Sequence, residues 1–165
     1  KDYKLAESFY LLSLEILPTA VAYSQMGLLA KNFRKDFDFA VKFHEKALSL
    51  DPRGESEKIE IAINYIHQQQ KKGAEEMIRE INSSSSQHSW ELARFYAMLG
   101  DVKKAILFLE RYLAQYSTRL LREKQILNLI LKEEDLQFIK DDNEFLEFIE
   151  ARQHRGARPV ELVEL

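Results

Sequence analysis

Two stretches of this chain answer each other residue for residue. DYKLAESFYLLSLEILP (residues 2–18) and DFDFAVKFHEKALSLDP (residues 36–52) align without a gap, pairing Asp2 with Asp36, Tyr3 with Phe37, Ala6 with Ala40, Leu14 with Leu48 and Pro18 with Pro52, always 34 residues apart. Ala74 stands 34 residues beyond Ala40, and Ala105 31 beyond that. The lost residues fall at the serine run 83–86, in a polar loop where a change of length costs little. Such a period belongs to stacked units that cannot bury their apolar faces alone and must do so against their neighbours.

Each aligned segment reads as the second helix of a hairpin. Asp2, Asp36 and Asp101 suit the helix start, where a carboxylate can accept from free backbone N–H groups. Val102, Ala105, Leu109, Tyr112 and Tyr116 recur at three or four residues, one apolar stripe of a helix. The small residue one turn in lets two helices approach closely, and the prolines at 18 and 52 end the first two segments. Between them lie partner helices at 21–33, 55–70 and 88–100, with Gly27, Ala62 and Ala93 as their small contact residues.

Ala62 and Ala93 are each followed three residues later by a tyrosine, Tyr65 and Tyr96, and the chain then runs through Gly100-Asp101 to Ala105. With the 34-residue period closing on Asp51-Pro52, this pattern resembles the tetratricopeptide repeat. The resemblance covers residues 1–117: a half repeat at 1–18, then repeats at about 19–54, 55–85 and 86–117. It departs from the family pattern by one extra residue in the turn 32–35 and by Gln69-Gln70-Lys71 where Gly-Asp is usual. It implies an all-α right-handed superhelix of antiparallel helix pairs, about three and a half repeats long. Because the chain opens inside a repeat, it reads as part of a longer protein.

Residues 118–152 leave the repeat but keep helical patterning through Leu120, Leu121, Leu127, Ile130, Leu131, Leu136, Ile139, Phe145, Leu146 and Ile149. They read as capping helices over the last repeat's apolar flank. The stretch 132–150 is similar to short acidic and apolar helices that close some bacterial tetratricopeptide proteins. The tail 153–165, with its arginines followed by Val160, Leu162, Val163 and Leu165, reads as mobile unless a groove of this molecule or a neighbour holds it.

Several chemistries are disfavoured by what the chain lacks. Its 24 Lys and Arg against 27 Asp and Glu give a net charge of −3, without the basic excess that displaces counterions from nucleic acid. It has no cysteine, and His44, His67, His88 and His154 do not show metal-ligand spacing. His44 aligns with Tyr10 and reads as a packed ring. No run of residues is apolar enough for a membrane span. Carboxylate runs such as Glu133-Glu134-Asp135 and Asp141-Asp142 read as solvated helix faces and caps, and no phosphate loop or nucleophile elbow occurs. The expectation is a binding protein, not an enzyme, with no cofactor or metal.

The resemblance implies that first helices line a concave groove. The groove candidates are Ser24, Leu28 and Lys31, then Ile59, Ile63 and His67, then Trp90, Arg94 and Met98, with Trp90 and Arg94 as interface anchors. Trp90 has a second reading as filler between repeats, and Ile59 and Ile63 have one in which they pack against the capping helices and partly fill the groove. Some family members clamp a terminal carboxylate with Lys and Asn; the corresponding positions here include Glu60 and Glu91, which would repel one. A helical or extended apolar peptide or protein partner is expected. The alternatives are an accessory region of a larger multidomain protein, or an assembly element in which an exposed stripe of Tyr3, Ala6, Tyr10 and Leu14 within residues 3–17 is covered by another copy or by a helix of the longer protein.

Overall fold

A computed structural model describes residues 3–79, 81, 87–115 and 120–153. Among them every regular element is helical and no strand occurs. The chain divides into two compact units, residues 1–91 and 92–165. The serine run 83–86, Asp2, Tyr116 and the tail 154–165, on which sequence expectations were placed, lie outside the described residues, as do the side chains of Leu120 and Leu121.

The first unit holds α1 (Tyr3–Ile16), α2 (Ala20–Leu29), α3 (Phe37–Leu50), α4 (Glu55–His67) and α5 (Lys71–Arg79), each packed on the helix before it. Pro18 follows the end of α1, and Thr19 restarts the chain by accepting the Ala22 N–H at 3.1 Å. Asp36 caps α3 through the Phe39 N–H at 3.0 Å. In α4 seven of 13 residues are buried, among them Ile59, Ile61, Ala62 and Ile63, so it carries apolar side chains on several faces between α3 and α5.

The extra residue of the 32–35 turn has a visible destination. The chain beyond α2 widens into a π-helical turn, Ala30–Arg34, and Lys35 then reverses it at φ 53° with its N–H on the Ala30 carbonyl. The other two hairpins need no widening. Gln69 (φ 62°) and Gly100 (φ 78°) hold the same left-handed position, 31 residues apart. The Gln70 N–H donates to Tyr65 O at 2.7 Å and the Asp101 N–H to Tyr96 O at 2.9 Å, the same closing bond in both.

These turns fix where the repeated alanines stand. The N–H of Ala40, Ala74 and Ala105 donates to the carbonyl of Asp36, Gln70 and Asp101 respectively, each at 3.0 to 3.1 Å, and all three alanines are 0% exposed. They occupy one position in three helices, and none of them keeps any solvent-facing surface. Ala6, the fourth of the series, is only partly covered.

A non-glycine residue in the left-handed region is strained by about 1–2 kcal/mol, while glycine gives back about 0.4–1 kcal/mol through unfolded-chain entropy. Gln69→Gly is therefore expected to stabilise the first unit by roughly 0.5–1 kcal/mol. Urea unfolding checks this, and an unchanged or lower midpoint would count against a strained turn.

The second unit takes up most of α6 (Ser89–Leu99), then α7 (Val102–Ala114), α8 (Leu120–Ile130), a 3₁₀ turn (Glu134–Ile139) and α9 (Asn143–Gln153). Tyr96 of α6 stacks on Phe108 of α7, ring centroids 5.5 Å apart. Asp101 caps α7 and also accepts from the Lys104 ammonium at 3.0 Å, a hydrogen bond that raises the pKa of Lys104 above its ordinary value. Leu127, Ile130, Leu136, Ile139, Phe145 and Ile149 are buried as the helical pattern predicts, but Leu131 and Leu146 are exposed and Phe148 is buried instead. Within this unit α9 packs on α7, and the 3₁₀ turn is tied to α6 by Arg94 and Asp135.

Candidate functional site

The first unit carries an open groove of about 480 Å³ formed by α2 and α3. Its position follows from one close approach. On α3 the inward stripe is Ala40, Val41, His44 and Ala47, and on α2 it is Ala22, Met26 and Gly27. The buried His44 ring lies where a Gly27 side chain would be: a Cβ there would stand 2.5 Å from His44 Nε2 and 2.7 Å from Cδ2. His44 Nδ1 donates to Glu57 Oε2 at 2.6 Å, which fixes the ring from the side of α4. Its Nε2, facing Gly27, has no hydrogen-bond partner among the described residues. Only glycine lets α2 pass this close.

Tyr23, one turn before Gly27, is thereby brought beside Phe43, with ring centroids 6.4 Å apart. Phe39 lies a further 6.0 Å along and is, as a whole residue, 46% exposed. Lys42 holds its ammonium 5.5 Å over the Phe39 ring, and Lys46 follows one turn later, with Glu45 and Ser49 completing the wall. Neither lysine has a carboxylate partner among the described residues. An apolar aromatic floor with free cations at its edge can take a bulky apolar side chain whose neighbours are carboxylates.

The nine residues expected to line a concave groove divide into five buried ones and four that are partly exposed. Ile59 and Ile63 are fully buried, Met98 nearly so, and all three serve the interior. Lys31 is buried with its Nζ 3.0 Å from Glu60 Oε2, and Arg94 is buried against Asp135. These five are not offered to a ligand, because a buried charge stays inside only with a partner and each cation has found one. Glu60, expected to repel a carboxylate ligand, is neutralised in the same way. Ser24, Leu28, His67 and Trp90 are partly exposed, and His67 stacks on Phe37 at 4.3 Å.

Phe39 and Phe43 stand on α3, a second helix, outside the expected first-helix lining, and Tyr23 stands on α2 beside the expected Ser24. The signal was present in α3: Phe39 and Phe43 sit four apart, just outside the stripe of Ala40, Val41, His44 and Ala47. No cluster of three or more metal-ligating side chains occurs among the described residues, and none of their helices is long and apolar enough to cross a membrane. No protein-family model matches the chain, and no curated protein matches it.

Proposed function

We propose that this chain is a tetratricopeptide-type helical solenoid, a right-handed superhelix of antiparallel pairs, that serves as a protein-interaction scaffold. The equivalent buried alanines and the recurring left-handed turns support the repeat reading. The observation that carries the functional reading is the open aromatic groove of Tyr23, Phe39 and Phe43 edged by Lys42 and Lys46. Its volume falls in the range of recognition pockets, about 300–1,000 Å³, and aromatic side chains are the usual anchors of binding surfaces. The partner is a peptide segment with a bulky apolar residue next to acidic ones. Catalysis is not part of the proposal.

Panning a random peptide library on the protein, followed by titration of the enriched peptides, tests this. Phe39→Ser is expected to weaken them at least tenfold, about 1.4 kcal/mol, without loss of helicity. Lys42→Glu with Lys46→Glu should weaken acidic peptides selectively, and less so at high salt. Failure to enrich any sequence, or enriched peptides indifferent to Phe39→Ser, would reject the groove.

A further inference from the structure

We infer that the outer face of α1 joins two copies of this chain as an antiparallel helix pair. The sequence suggested an exposed stripe of Tyr3, Ala6, Tyr10 and Leu14, but that is the face turned to α2 and its π-helical extension: Ala6, Tyr10 and Leu14 are partly covered, Tyr3 stacks on Phe33 at 5.2 Å, and Glu7 pairs with Arg34 at 2.5 Å. The open stripe is Leu5, Phe9, Leu12 and Ile16, which are 53%, 62%, 52% and 77% exposed. At 100° per residue it lies about 140° round the helix from the covered face. No residue of α1 is buried, although most of the helix is apolar.

The stripe's chemistry selects its occupant. Its spacing of four, three and four residues is that of a seam between two helices, and Ser8 and Ser13 beside it are small enough for close approach. It contains no charge and no hydrogen-bonding side chain, so it offers nothing to a polar or charged ligand. What matches it is an equally long, uncharged apolar helix face, and every copy of the chain carries one. A two-fold axis between Phe9 and Leu12 sets Leu5 of one copy against Ile16 of the other, and Phe9 against Leu12. The antiparallel sense also keeps the two Glu15 carboxylates apart.

The four side chains expose on the order of 400 Å² per copy, within the size of functional patches. Two copies bury about 800 Å² through them before flanking residues add, near the lower bound of about 1,000 Å² for a specific interface. The dimer is accordingly reversible. It is independent of the α2–α3 groove, and Phe39→Ser leaves it unchanged.

Sedimentation velocity of the whole chain across roughly 5 to 500 µM, a range set for weak association, reads the equilibrium. The wild type is expected to move from monomer to dimer. Phe9→Lys and Leu12→Glu, both at exposed positions and checked for unaltered helicity, should each remain monomeric. Mixed in equal amounts they should dimerise again, since one Lys–Glu contact and one native Leu–Phe contact then face across the axis. A wild type that stays monomeric, an oligomer indifferent to Phe9→Lys, or a mixture that does not associate would each overturn the inference.

Discussion

Lys31→Met is expected to destabilise the first unit by roughly 3–5 kcal/mol, whereas Lys31→Met combined with Glu60→Leu should return to within about 1 kcal/mol of the wild type. The two side chains are 5% and 7% exposed, and Lys31 Nζ reaches Glu60 Oε2 at 3.0 Å. Removing the cation alone leaves a carboxylate out of water with its charge partner gone. Removing both leaves an apolar site of similar size. Against a total stability of about 5–15 kcal/mol the single change is close to unfolding the unit. Urea denaturation of both singles and the double gives the coupling directly. A single variant costing under about 1 kcal/mol would mean that water reaches the pair.

The second large effect lies in the other unit. Arg94 Nε and Nη2 both donate to Asp135 Oδ2, at 2.9 and 2.6 Å, and Glu133 Oε1 lies 3.5 Å from Nε. This binds α6 to the 3₁₀ turn at Glu134–Ile139. Arg94→Met should cost roughly 3–5 kcal/mol, because Asp135 stays buried without its guanidinium. Arg94→Lys should recover little of this, since a single ammonium does not reproduce a two-donor approach to one oxygen. Amide hydrogen exchange over residues 133–139 should accelerate in both variants. Protection there equal to the wild type would show that Leu136 and Ile139 alone hold the turn.

These two pairs also mark where reading the sequence stopped. Ala40, Ala74 and Ala105 were legible because a small residue favours close helix contact, so their spacing marked three equivalent buried positions without any partner being known. Asp36 and Asp101 were legible as caps for an equally local reason. Lys31 and Arg94 were not, because a charged residue in a helix reads as solvent-facing until its buried partner is found, here 29 and 41 residues away. Ile59 and Ile63 misled for a related reason: α4 has apolar residues on several faces, so periodicity gave no outward side. The α2–α3 groove depends on Gly27 meeting His44, a contact between helices that neither local pattern announces.

The turn at Gln69 has a consequence for how such a chain can diverge. Tyr65–Gln70 and Tyr96–Asp101 close with the same backbone bond, yet only one of them spells it with glycine. A hairpin drawn by main-chain atoms can outlive the letters that usually announce it, at the cost of a little local strain. The main chain therefore asks less of the side chain at this turn than complete burial asks at Ala40, Ala74 and Ala105.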